Sequence, residues 1–475
     1  MAPVNSTTQP ITLSPRLAKL LPWLIASAFF MQGLDATIVN VALPQMALDL
    51  DQHPLRMQAV VIAYLLTVAA LIPVSGWLSD RFGARRIFTM AIGLFALGSL
   101  FCAMSPTLTL LVISRIMQGV GGALMVPVGR LIILRAYPRT QLVKVMSFIT
   151  MPALVGPLIG PTMGGWLVEA LSWHWIFLIN LPVGIVGAIA AWRLVPSFQR
   201  EHPKRFDTLG FLLFSFSMLA IALSLEGLSD LRLNITTVLL ILMVGVASLA
   251  TYWVRAMKVK APLFSPSLFA IRTFTVGILG NIFARLGNGA LPFLVPLVLQ
   301  VGLSLSPATA GMLMIGITLG AIVAKPLAQS ILVRLGYKRT LVINTLLLGL
   351  LIMSLALLST TTPHWLIMGH LFVLGVVNSL QFTAMNTLTL IDLQGDNAAS
   401  GNSLLAVVMQ MSIGMGVSSS AALLNVFTHH DTQQTLSAFS ATFICVGGMA
   451  MLAALIFLQL RPGDGRVKAR KRRHA

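Results

Sequence analysis

Apolar residues fill this chain in long runs separated by short polar connections. Fourteen runs can be drawn, at about 20–43, 57–78, 87–105, 108–129, 146–168, 173–194, 208–226, 235–255, 272–298, 306–329, 340–358, 364–388, 402–425 and 437–460. About 20 residues at ~1.5 Å each cross a ~30 Å hydrocarbon core, so each run predicts a membrane-spanning helix. The runs lack the ~10-residue alternation of an outer-membrane barrel. The first run is too long for a signal-peptide core and no cleavage-like site follows it, so it reads as an uncleaved span. The expected fold is all-α and integral to a membrane.

Polar positions inside these runs are few, and one is acidic. Asp35, in the first span, is the only acid well inside a predicted membrane helix. A charge at that depth costs a few kcal/mol on insertion scales, so it is expected to face a protein interior and to have a task. The fourth span carries Arg115 within LLVISRIMQGVGGA, and pairing it with Asp35 would offset both costs. Arg285, in the ninth span, has no evident partner. It either snorkels toward one end of its helix or lines an internal cavity. Asn40, Gln118, Asn288, Asn378 and Gln381 are candidates for a polar substrate path, with helix–helix hydrogen bonding as the alternative.

Composition agrees with this reading. Of 475 residues 57% are hydrophobic and only 9% charged, against roughly 25% charged in soluble domains. The net charge of +19 could suggest nucleic acid. Its placement argues otherwise, since 28 of the 32 Lys and Arg fall on alternate connections and at the two termini. That bias predicts both termini in the cytoplasm, with the basic tail from Arg466 to Arg473 near anionic headgroups. Cys102 and Cys445 lie far apart in apolar segments and read as packing residues. No nucleophile–base pair, metal cluster or phosphate loop appears, so neither an enzyme nor a cofactor is expected.

A repeat organises the whole. GWLSDRFGARR, from Gly76 to Arg86, joins the second and third spans; Val333-Arg334-Leu-Gly336-Tyr-Lys338-Arg339 joins the tenth and eleventh, 253 residues later. A duplicated six-helix bundle accounts for this, with spans seven and eight inserted between the copies. The expected divisions are a tail at 1–19, a bundle at 20–195, an inserted pair at 196–260, a second bundle at 261–460 and a tail at 461–475. Two such bundles around a central path suit a secondary transporter.

These motifs resemble those of the major facilitator superfamily, and within it the fourteen-spanner drug:proton antiporters. The loop with Gly76, Asp80, Arg81, Gly83, Arg85 and Arg86 resembles the superfamily's signature loop, although Ala84 stands where a basic residue is common. The resemblance implies a latch between the bundles, with Asp80 accepting from Arg81, Arg85 or a helix N-terminus, and with Gly76 and Gly83 allowing close approach and a tight turn. The second copy has Val333 in place of the acid. The fifth span's GPLIGPTMGGW, with Gly156, Pro157, Gly160, Pro161, Gly164 and Gly165, resembles the antiporter signature, with Ser147 in place of an upstream glycine. LDATIVNVALP from Leu34, WHWIFLINLPVG from Trp173 and LPFLVPLVLQVGLSLSPATAG from Leu291 resemble the fourteen-spanner family's own patterns. The resemblance implies proton coupling through Asp35 and Arg115, driven by the proton gradient. It also implies export of lipophilic or amphiphilic small molecules by a monomer in a bacterial inner membrane. An anionic or zwitterionic metabolite is the alternative cargo, and a non-transporting sensor the alternative class.

Overall fold

The structure, a computed structural model, describes residues 14–196, 206–229, 234–259, 261–393, 396–430 and 435–465. The N-terminal stretch 1–13 and the tail from Arg466 to Arg473 lie outside the described residues. Among the described residues fourteen long helices follow one another. They are α1 (Pro15–Asp49), α2 (Pro54–Phe82), α3 (Ala84–Ala103), α4 (Leu108–Ala136), α5 (Arg139–Ala170), α6 (Trp175–Leu194), α7 (Thr208–Ser229), α8 (Ile235–Lys258), α9 (Arg272–Gly302), α10 (307–335), α11 (337–354), α12 (His364–Leu390), α13 (Asp396–His430) and α14 (Thr435–Phe457). No strand occurs among the described residues.

Helix α5 begins seven residues before the predicted run and α4 ends seven residues after it. The excess turns carry Arg130, Arg135, Arg139 and Lys144. Hydropathy marks only the part of a helix that lipid covers, whereas backbone bonding continues until a cap ends it. All these extensions share one end of the molecule, called the basic end below.

The repeat is visible in the backbone. Gly83 ends α2 at φ 88° and ψ 133°, and Gly336 separates α10 from α11 at φ 75° and ψ 163°. These angles are open to glycine and strained for side-chain-bearing residues. Both turns lie 253 residues apart at the basic end, as the sequence pattern requires. Two six-helix bundles, α1–α6 and α9–α14, thus bracket the pair α7 and α8. That pair packs where α2 and α13 meet: Ser215 Oγ donates to the Ala70 carbonyl at 3.1 Å. Phe214 and Tyr252 also share an apolar cluster with Leu404 and Leu405.

Helix α5 holds the first bundle to the second. Its inner face is nearly bare, so α1 approaches until a Cβ placed on Gly156 would lie 2.6 Å from the Phe30 carbonyl oxygen. At the end opposite the basic one, Gly165 meets the Pro307 carbonyl, and Gly311 on α10 meets the Pro161 carbonyl. Thr162 Oγ1 donates across the same seam to Gly311 O at 3.2 Å, and Gln300 Nε2 reaches Val41 O at 2.9 Å. Pro152, Pro157 and Pro161 lie inside this helix; in a bundle, neighbouring helices compensate the backbone bonds that proline removes. Gly76 does not serve close approach as expected, because a Cβ there meets nothing within 4 Å.

Gly156→Ala therefore has to force α1 and α5 apart, at a cost of about 1–3 kcal/mol, while Gly76→Ala should be close to neutral. Thermal unfolding of the two variants in detergent checks the contrast.

Candidate functional site

Five of the first bundle's helices converge on Asp35. Arg115 Nη1 on α4 donates to Asp35 Oδ2 at 2.7 Å, with Asp35 fully buried and Arg115 1% exposed. One turn further along α4, Gln118 Nε2 donates to Asp35 Oδ1 at 2.8 Å. Asn180 Nδ2, on α6, reaches the same oxygen at 3.1 Å. Ser99 Oγ, on α3, accepts from both amides, at 2.8 Å from Gln118 and 3.2 Å from Asn180. From α2, the Val60 carbonyl accepts from Arg115 Nε at 3.2 Å, and the Tyr64 ring lies 4.5 Å from the guanidinium carbon. Arg115 Nη1 also donates to Gln118 Oε1 at 2.6 Å.

Two charges removed from water repay their desolvation only with good geometry and full hydrogen bonding. This site supplies both. It also gives each charge a different freedom. Both Asp35 oxygens accept hydrogen bonds in the charged form, so a proton arriving there weakens its hold on the donors around it. Arg115 has two neutral acceptors in hand, Val60 O and Gln118 Oε1, and stays bonded if the carboxylate lets go. The arrangement can hold a proton on one side chain while the other keeps its charge solvated.

The sequence reading found Asp35, Arg115 and Gln118 but missed Asn180, Ser99 and Tyr64. Asn180 was detectable: it is an amide within the quoted run WHWIFLINLPVG. Ser99 and Tyr64 gave no signal, since single hydroxyls are common in membrane helices and usually bond their own backbone.

The loop at the basic end departs from expectation. Asp80 forms an ion pair with Arg135, at the end of α4, one of the basic residues that the sequence pattern marks only as a topology charge. Arg85 does not pair with the acid; its guanidinium lies 5.0 Å from the Trp192 ring on α6. Arg81 stands 5.5 Å from the Trp77 ring, and Arg86 is exposed. The Asp80–Arg135 contact ties α2 to α4 within one bundle.

Among the remaining candidates, Asn40 is buried and donates to its own helix at Ala36 O, 3.2 Å away, leaving its carbonyl oxygen without a partner. Gln381 accepts from Asn344 Nδ2 at 2.9 Å and donates to Thr345 Oγ1 at 2.7 Å, which ties α12 to α11. Asn288 Nδ2 donates to Asn378 Oδ1 at 3.1 Å, joining α9 to α12. Arg285 does not snorkel. It is 5% exposed, bonded through Nε to Asn281 Oδ1 at 3.2 Å and set over the Phe382 ring at 5.0 Å.

Glu169, exposed just past the fifth apolar run, spans the seam between the bundles. It accepts the Ala308 amide N–H in the first turn of α10 at 3.0 Å. That amide, then the Ser306 hydroxyl, holds its carboxyl below the usual carboxylate range. A lowered value means that the contact is fully formed above the ordinary pKa of 4.5 and is lost as pH falls through the lowered value. His174, beside Trp173, is pushed down by burial, with Asp49 opposing the shift.

Fold and site together define a multi-pass helical membrane transporter. The model of the Major Facilitator Superfamily matches residues 25–278 and 277–475, and the chain belongs to that superfamily. It is 47% identical over 446 residues to a protein of Serratia proteamaculans provisionally named multidrug resistance protein MdtD, covering 93% of each chain. A Yersinia pestis protein of the same name is 45% identical, with 93% of this chain and 96% of the relative covered. Among solved structures, a D-xylose–proton symporter aligns at TM-score 0.65 with 15% identity, over 94% of this chain and 99% of the other. A peptide transporter POT in complex with sulfate aligns at 0.67 with 18% identity, over 94% of each. These two likenesses are of fold.

Two outcomes follow from the geometry. Asp35→Asn strands a buried guanidinium and should cost about 3–5 kcal/mol; Arg115→Gln added to it should recover much of that, as a double-mutant cycle of thermal midpoints would register. Spin labels at positions 170 and 305 should give one distance distribution from pH 8 to pH 5 and a broader one in more acid solution. Glu169→Ala, which removes the acceptor, should broaden it already at neutral pH.

Proposed function

We propose that this chain is a proton-coupled exporter of small lipophilic or amphiphilic compounds, working by alternating access between its two bundles. The observation that carries the coupling is the buried cage around Asp35: one acid, one matched arginine and two amides drawn from separate helices. The similarity to MdtD proteins supports the export direction, and so does the glycine-rich seam along α5.

In the proposed cycle the basic end faces the cytoplasm of a bacterial inner membrane, with both termini on that side. Asp35 accepts a proton while the cavity is open outward. Its hold on Arg115, Gln118 and Asn180 loosens, Arg115 rests on Val60 O and Gln118 Oε1, and α1, α4 and α6 gain freedom to shift against one another. As the α5–α10 seam closes, the bundles part at the basic end, cargo enters from the cytoplasm or inner leaflet, and the proton leaves inward. Residues 20–195 and 261–460 act as the rocking halves, with 196–260 as the inserted pair. Asp80 and Arg135 form the first bundle's share of the latch at the cytoplasmic end. One chain suffices for the cycle.

The test is transport in proteoliposomes with an imposed pH gradient. Asp35→Asn should lose gradient-driven substrate movement by at least tenfold while still exchanging labelled for unlabelled substrate. Wild-type rates and pH dependence in the variant would rule out Asp35 as the proton carrier.

A further inference from the structure

The two bundles treat their buried arginines differently. In the first, Asp35 answers Arg115 at 2.7 Å. In the second, no carboxylate among the described residues lies within ion-pair reach of Arg285, and its Nη2 has no hydrogen-bond partner among them. The 253-residue offset that superimposes Gly83 on Gly336 also carries Asp35 onto Asn288. An amide thus stands where the first bundle has its acid. An unanswered cation in a low-dielectric interior costs several kcal/mol, and such residues in membrane helices mark ligand or ion paths.

The surroundings say what would answer it. The guanidinium lies 5.0 Å over the ring of Phe382, which is itself 45% exposed. On one side Asn281 Oδ1 orients the guanidinium through Nε. One turn further along α9, the Asn288–Asn378 amide pair bridges to α12. A guanidinium matches a carboxylate or sulfonate in plane and charge, and the aromatic face beside it favours an apolar body.

We propose that Arg285, with Phe382 and the Asn288–Asn378 pair, is the binding subsite for the acid group of a monoanionic amphiphile, such as an aromatic carboxylate. This names the cargo class of the exporter proposed above and rests on that reading.

The experiment is equilibrium binding to the full chain in phosphatidylcholine nanodiscs, using 1-naphthoate and its neutral isostere 1-naphthamide. Naphthoate should bind saturably and naphthamide at least tenfold more weakly. Arg285→Gln should abolish the difference between them and Arg285→Lys should restore part of it. Without ligand, Arg285→Gln should raise the thermal midpoint, because it removes an uncompensated buried charge; a purely structural arginine would lower it. Equal binding of acid and amide, unchanged binding in Arg285→Gln, or no saturable naphthoate binding by folded wild type would overturn the subsite. Competition by added phosphatidylglycerol would reassign it to lipid headgroups and overturn it as a cargo site. Binding with no naphthoate flux in proteoliposomes would keep the subsite and refute the exporter reading alone.

Discussion

The first bundle is arranged around one requirement: Asp35 and Arg115 have left water and have to satisfy each other. The Coulomb attraction between them grows in a low dielectric, and so does the cost of any misplacement. Five helices meet that requirement together. Val60 and Tyr64 hold the arginine from α2, Ser99 on α3 orders the two amides, and Asn180 closes the cage from α6. A shift of any of these helices changes the hydrogen bonding of the pair. The converse also holds, so a change in the charge on Asp35 is felt by the packing of the whole bundle. That reciprocity is what coupling demands of a binding site.

The molecule carries a second constraint in its seam. Where α5 meets α10, at the end opposite the basic one, backbone lies against glycine: Gly165 on Pro307, Gly311 on Pro161. Few side chains have to be desolvated or rebuilt when such a surface parts, and Glu169 adds a single carboxylate–amide bond across it. A close but sparsely bonded interface suits a joint that has to open repeatedly. The contact between Asp80 and Arg135 at the basic end stays within one bundle and moves with it.

Much of this was legible in the sequence. Apolar run length gave fourteen helices, and the loop pattern shared by Arg81–Arg86 and Arg334–Arg339 gave the duplication, its glycine being the residue that both turns need. The pairing of Asp35 with Arg115 followed from the cost of leaving either alone. What escaped was whatever depends on helix rotation. Asn180 and Gln381 are both amides in apolar runs, yet one faces the buried acid and the other ties α12 to α11. Arg135 was hidden by a rule that counts charges at helix ends without asking what they touch. Arg285 could not be placed, since position along a helix does not show which face a side chain takes.

The unequal charge of the two bundles bears on the energy source for transport. A monovalent cation exchanged for one proton moves no net charge, and only the pH gradient drives it. An anion carried outward from Arg285 against one inward proton transfers two charges down an inside-negative potential. Each charge is worth about 2.3 kcal/mol per 100 mV, so the voltage alone would supply about 4.6 kcal/mol at that potential. By the relation of about 1.4 kcal/mol per decade, this sustains a concentration ratio on the order of a thousandfold. With the anionic cargo proposed for Arg285 and one proton per cycle, the carrier would be electrogenic, able to work at an external pH where no proton gradient remains.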